Sequence, residues 1–157
     1  MAYLLDTNIL IYFFKNLGAV RLHMAQQQDT DIHLCTPVLW ELLTGAHKSE
    51  HPATQLSKLA AVQQRFRVHA FDEASVGQAA HARAQLERQG TPIGNIDTLI
   101  AGIALAHQLT LVTRNTREFA RVEGLQVENW FEPDSSWPAA PTTTTPPSLD
   151  EPPPTLD

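Results

Sequence analysis

Four stretches, far apart along the chain, each set a carboxylate or an amide inside an apolar run. Asp6 ends Ala2-Tyr3-Leu4-Leu5 and leads into Thr7-Asn8-Ile9-Leu10-Ile11. Glu41 lies inside Val38-Leu39-Trp40-Glu41-Leu42-Leu43, and Asp97 inside Ile96-Asp97-Thr98-Leu99-Ile100. Asn115 follows Leu111-Val112-Thr113-Arg114, with Glu118 three residues on. A carboxylate where a buried strand emerges is costly unless something neutralises it. Acids embedded in this way are what a divalent-metal site needs, and oxygen-only ligands suit Mg²⁺ or Mn²⁺ rather than zinc. A metal so held activates water and stabilises the charge that develops on a phosphodiester under in-line attack.

Each position also has a plainer reading. Asp6 and Asp97 are placed to cap the helices that follow them, although Asn95 is already a candidate cap for the second. Glu41 could be a solvated glutamate, but it falls past the capping positions among Leu, Trp and Val. Asn115 could be a turn residue, and Glu118 could supply the charge that Asn115 lacks. His47 and His51 are four apart, yet Gly45 and Pro52 flank them and end the helix that a chelate would need. Cys35, the single cysteine, sits in Ile32-His33-Leu34-Cys35-Thr36 and reads as a small buried hydrophobe. No Ser-His-Asp or Cys-His order is evident, and Gly90 and Gly94 lack the Lys-Ser/Thr pair of a phosphate-cradling loop.

Strand and helix patterns alternate around these positions. Tyr3 to Leu5 reads as a strand and Asn8 to Lys15 as a helix; Val20 to Gln28 is a second helix anchored by Val20, Leu22 and Met24. After a strand from Ile32 to Cys35, Thr36 is expected to cap a helix with Pro37 at its first position, ending near Gly45 or His47. Ala53 to Phe66 is amphipathic, with Leu56, Leu59, Ala60 and Val62 on one side. Val68 to Phe71 is a strand, and Asp72 caps a helix that reaches Gln89 and stops at Gly90. Ile96 to Gln108 is an apolar helix, Thr110 to Thr113 a strand, and Leu125 to Glu128 a last strand after a short helix. The order implies an α/β fold, a three-layer α/β/α sandwich with a mostly parallel sheet. Ligands of such sheets sit outside the carboxyl ends of the strands, where Asp6 and Asn115 fall.

The 157 residues suit one domain, over residues 1–132, followed by a tail. Residues 133–157 hold 8 of the 11 prolines and the run Thr142-Thr143-Thr144-Thr145, a composition expected to stay a disordered acidic tail. The net charge of −6 argues against nucleic acid only until it is located. The tail carries four acids and no Lys or Arg, which leaves 13 acids against 11 bases in the body. Bound divalent cations would bring that body near neutrality. No apolar run approaches a membrane span, Met1 leads straight into a strand without a signal-like segment, and a cytoplasmic location is expected.

Taken as they stand, Leu4 to Ile11, Val38 to Ala46, Pro92 to Gly102 and Val112 to Phe119 resemble the four motifs of the PIN-domain ribonucleases, and within them the VapC toxins. The resemblance spans residues 2–132, in order and with the family's spacing. It implies a PIN-like fold, Mg²⁺- or Mn²⁺-dependent endoribonuclease activity, and homodimerisation. It also implies a VapB-type antitoxin that fills the active-site groove and alone carries operator-DNA binding. Asp6, Glu41 and Asp97 match the family's metal-binding acids. Asn115 departs from it, since many members carry a fourth acid there, and Glu118 is the nearby substitute. RNA is the implied substrate, with tRNA the first to try.

Arg114, Arg117 and Arg121 fall beside the proposed rim, and Lys15 and Lys48 near the ends of the flanking helices. Solvated charge explains each alone; as a group beside a polyanion site they are candidate phosphate contacts. No aromatic-rich stacking platform is apparent. Two other functions compete: a phosphatase with Asp6 as nucleophile, weakened by Asn8 where a second Asp is needed, and a non-catalytic module whose acids receive a partner's Arg.

Overall fold

Tyr3–Leu5 (β1) is the middle strand of a five-stranded sheet in the computed structural model, which describes residues 1–137. Ile32–Cys35 (β2) and Arg67–His69 (β3) lie on one side, and Thr110–Val112 (β4) and Val127–Glu128 (β5) on the other. Every pairing is parallel, so the sheet is wholly rather than mostly parallel. The helices flank it: Thr7–Lys15 (α1), Val20–Ala25 (α2), Thr36–Lys48 (α3), Pro52–Arg65 (α4), Glu73–Arg88 (α5), Asn95–Ala106 (α6) and Thr116–Phe119 (α7). Leu4, Leu5, Leu34, Leu111 and Val112 have no exposed surface, as expected of strands covered on both faces. The chain runs outward from β1 through β2 to β3, then returns to β4 on the other side of β1. That reversal opens a crevice at the carboxyl ends of β1 and β4.

Several local expectations are corrected. The α2 helix stops at Ala25, and Leu22 points to solvent rather than into the core. Thr36 is the first residue of α3, not its cap; its hydroxyl accepts from Phe71 N–H at 3.2 Å and so ties α3 to the chain after β3. On α4 it is Gln55, not Ala60, that is buried beside Leu59 and Val62. Asn95 does not cap α6, because Gly94 holds the cap position and Asn95 accepts from Arg83 Nη1 at 2.7 Å. Asp72 does cap α5, accepting from Ser75 N–H at 2.9 Å. The Cys35 side chain is buried, and burial pushes its thiol up to about 12.

Residues 133–137 follow the body of the domain and make local contacts with it. Asp134 anchors a turn through Ser136 N–H, and the Trp137 ring rests 4.5 Å from the His23 ring, which also stacks on Trp130. An apolar ring gains by covering these neighbours. Residues 138–157 lie outside the described residues. Among the described residues no helix is long and apolar enough to cross a membrane.

Gly102 sets the position of α6. A Cβ there would stand 2.6 Å from Ala79 Cβ and 2.8 Å from the Ser75 carbonyl oxygen on α5. Only glycine permits this approach, which carries the N-terminus of α6 up to the crevice.

Candidate active site

Asp6 leaves β1 at the reversal point, with 6 % of its surface exposed. Its backbone N–H donates to the Val112 carbonyl at 2.9 Å, which locks it to the end of β4. Its side chain does two things. Oδ1 accepts from Thr7 N–H at 2.8 Å, so the capping reading is correct as far as it goes. Oδ2 accepts from the buried Thr113 hydroxyl at 2.7 Å. Thr113 Oγ1 also accepts from Asn115 N–H at 3.0 Å, so one threonine fixes both the first acid and the start of the fourth segment.

Glu41 stands in the second turn of α3, which begins where β2 ends. Its Oε1 accepts from the Thr7 hydroxyl at 2.6 Å. Residue 7 therefore serves two acids, Asp6 through its amide and Glu41 through its side chain. Asp97 lies in the first turn of α6, where the helix dipole favours an anion. Its carboxylate folds back toward the helix start: a Cβ on Gly94 would lie 3.6 Å from Asp97 Oδ2. Asn115 donates its side-chain amide to Glu118 Oε2 at 2.9 Å. The two candidates for the fourth position are thus one unit, in which the amide orients the acid.

The electrostatics shows the gathering. Burial, opposed by the bonds from Thr113 and Thr7 and reinforced by Glu41, raises the Asp6 carboxyl to about 6. Burial, then the charges of Asp6, Glu41 and Glu118, raises Asp97 to about 7. Acids from positions 6, 41, 97 and 118 therefore act on one another across one crevice. Among the described residues no three His, Cys, Asp or Glu side chains already enclose a position for an ion. The donors fit a hard divalent cation that keeps part of its water, since Mg²⁺ takes one or two carboxylates directly and reaches others through water. The acids of this crevice offer carboxylate oxygens, the donors that such a cation prefers.

The candidate cations are more dispersed. Arg114, between Thr113 and Asn115, packs its guanidinium 3.9 Å from the Phe131 ring centre and donates from Nη1 to Tyr12 Oη at 3.3 Å. Arg117 is exposed on α7 beside Glu118, Arg121 is half-buried just after it, Lys15 is half-buried at the end of α1, and Lys48 is exposed at the end of α3. His47 and His51 do not share a helix: His47 is exposed on α3 and His51 precedes α4. The four-residue spacing therefore makes no helical chelate. Thr7 and Thr113 were not singled out from sequence, although each adjoins an acidic segment and carries the hydroxyl that holds the acid.

Residues 3–125 match the family model described as the PIN domain. The tRNA(fMet)-specific endonuclease VapC of Shigella flexneri is 38 % identical over 130 residues, covering 83 % of this chain and 98 % of that protein. Ribonuclease VapC2 of Rickettsia felis is 35 % identical over 138 residues, with the same two coverages. Among solved structures, the DNA-bound VapBC complex of Salmonella typhimurium superposes with a TM-score of 0.78 at 34 % identity, over 83 % of this chain and 98 % of the matched chain.

Proposed function

This chain belongs to the PIN-domain family, among the VapC ribonucleases, and from that premise we propose that it is a divalent-cation-dependent endoribonuclease toxin acting in the cytoplasm on tRNA. The observation that carries the reading is the convergence of Asp6, Glu41, Asp97 and Glu118 at the switch point of the sheet, where burial and then the charges of the other three raise Asp97 to about 7. Mg²⁺ or Mn²⁺ would be held by Asp6 and Asp97, with Glu41 and Glu118 reached directly or through water. When bound, such a cation supplies a more acidic water and a counter-charge for the oxyanion of the attacked phosphodiester. Thr113 and Thr7 keep the Asp6 carboxylate at a fixed orientation, and Thr7 does the same for Glu41. Asn115 is a positioning residue, which acts by orienting Glu118. Arg114, Arg117 and Lys15 supply phosphate contacts that set the RNA backbone over the crevice.

A VapB-type antitoxin is the proposed inhibitor, and binding to operator DNA runs through it. The toxin itself is proposed to be a homodimer, with residues 1–132 as the nuclease body and the segment beyond as a tail.

The test is cleavage of purified tRNA by the full chain with Mg²⁺ or Mn²⁺, followed by sequencing of the RNA ends. Cleavage at a defined site, stopped by EDTA and by co-purified antitoxin, is the expected result. Tight antitoxin binding without cleavage at any Mg²⁺ or Mn²⁺ concentration would instead favour a non-catalytic module. Undiminished turnover in EDTA would overturn the metal assignment.

A further inference from the structure

Trp40 immediately precedes Glu41, yet its side chain is turned outward, with 59 % of its surface exposed. Among the described residues it is the only aromatic of the exposed large hydrophobic side chains; the others are Met1, Leu22 and Val76. An indole in water is costly, and a helix position so close to an acid of the crevice has no packing reason to carry one. The sequence showed no aromatic platform; the structure has a single exposed ring in the second turn of α3, level with Glu41.

The surroundings decide what kind of partner the ring fits. At helical spacing Trp40 shares one stripe of α3 with Thr44, His47 and Lys48. Thr44 is half-buried, and His47 and Lys48 are exposed. The stripe therefore runs from an aromatic ring one residue before Glu41 to a cation eight residues on, about 12 Å along the axis. It carries no acid. A stable protein interface needs roughly 800 Å² from each partner with an apolar centre, and one indole on a polar stripe falls well short. A single-stranded nucleic acid needs what is present: a flat ring for a base and a positive charge for the phosphate that follows.

We propose that Trp40 stacks a nucleobase of the RNA next to the phosphate over the acids, while Lys48 meets the backbone further along α3. The proposal rests on the ribonuclease reading above and adds a base-contacting residue to it. Stacking holds one nucleotide out of the strand and fixes which phosphate lies over Asp6 and Asp97. It is tolerant of base identity, because every base presents a π-face.

The experiment measures binding in EDTA, where cleavage plays no part, by anisotropy of a labelled 12-nucleotide single-stranded RNA and of an abasic strand of equal length. Trp40→Ala is expected to weaken binding of the base-bearing strand roughly tenfold. Trp40→Phe should recover most of that loss, and the abasic strand should bind wild type and Trp40→Ala alike. Lys48→Gln should weaken both strands equally and lower the salt dependence by about one counterion. An equal loss on both strands, or no loss on either, would overturn the stacking role. So would conversion of a dimer into monomers by Trp40→Ala in light scattering, which would make a second copy the occupant. Base-dependent binding without cleavage in Mg²⁺ would leave the stacking role standing and remove the nuclease reading. Cleavage at unchanged KM in Trp40→Ala would do the reverse.

Discussion

At the crevice, burial and neighbouring carboxylates raise the proton affinity of Asp6 and Asp97; beside β2 and β3, burial and neighbouring basic groups lower that of His69. His33 Nε2 donates to the Thr30 carbonyl at 3.0 Å, so in the neutral ring Nδ1 must accept, and His69 Nε2–H, 2.6 Å away, is the donor. The His69 ring lies tilted against His107 at 4.4 Å between centres, and His107 Nε2 lies 3.3 Å from Asp72 Oδ2. Burial, then His107, His33 and Arg67, against a pull from Asp72, lowers His69 to about 4. His33 and His69 thus bond to each other inside the protein, and His107 lies between His69 and the Asp72 carboxylate. The acids meet at an opening with like charge on like charge, and their bonds come from threonine hydroxyls, backbone and the Asn115 amide, which leave the charge in place. With two buried titratable clusters in one small domain, burial alone does not mark out the proposed site. The mark is a charge that the fold concentrates and does not neutralise.

The sharpest way to break this contrast is Asp97→Asn, which removes one charge with almost no change of shape. Cleavage in Mg²⁺ is expected to fall on the order of a thousandfold, the loss of several kcal/mol of transition-state stabilisation. The metal-free fold should become more stable, because Asp6, Glu41 and Glu118 lose a repelling neighbour. Paired measurements of kcat/KM and of the urea midpoint in EDTA check both signs. A variant that kept full turnover would end the claim that this cluster is the catalytic one.

Next in size is the split between Glu118 and Asn115. Because the Asn115 amide donates to Glu118, Glu118→Gln should weaken Mn²⁺ binding by roughly tenfold to a hundredfold, and Asn115→Ala by less. Mn²⁺ titration followed by electron paramagnetic resonance reads both. An effect of Asn115→Ala larger than that of Glu118→Gln would make the amide, not the acid, the fourth member.

How far the sequence reached follows the same division. The acids were legible because a charge inside an apolar run is conspicuous wherever the chain later takes it, and the fold order followed from alternating periodicities. The threonines were not, because a β-branched residue next to a strand has an ordinary reason to be there. Only the crossing of β1 beside β4 brings the Thr113 hydroxyl to Asp6, a separation of 107 residues. The histidine cluster was missed for a related reason. His33 and His69 meet because Cys35 pairs with His69 in the β2–β3 register, whereas the close pair His47 and His51 attracted notice and is exposed. Asn95 misled because a capping residue type stood one position too late and Arg83 engaged its side chain instead.

Removing the other cluster should leave catalysis alone. His69→Ala deletes the donor to His33 and opens a small cavity, with an expected loss of about 2 kcal/mol of stability. Turnover of the folded variant should stay within twofold of wild type. A large fall in kcat at temperatures where the variant is folded would mean that the histidines communicate with the crevice, and the separation drawn here would fail.

The smallest effect, and the one that tests the two clusters against each other, is the pH dependence of stability without divalent cations. Asp97 rises from 3.8 to about 7 and Asp6 from 3.8 to about 6 on folding, so the folded chain binds their protons more tightly than the unfolded one. Their contribution is fully present below about pH 4 and is lost as pH rises through 6 to 7. His69 falls from 6.5 to about 4, so its contribution is fully present above pH 6.5 and is lost as pH falls through 4. Across this window the clusters pull in opposite directions, and the two acids outweigh the one histidine, so the wild-type stability profile in EDTA should fall with rising pH, less steeply in Asp97→Asn and more steeply in His69→Ala. Asp97→Asn should tilt it toward greater stability at higher pH, and His69→Ala toward lower. Mg²⁺ should add stability to the wild type most at the upper end of the window, where the acids are ionised and able to bind it. Urea midpoints at three pH values, with and without Mg²⁺, give every sign at once. If both variants tilted the same way, the opposition between a charge-concentrating crevice and a self-satisfied histidine cluster would not describe this molecule.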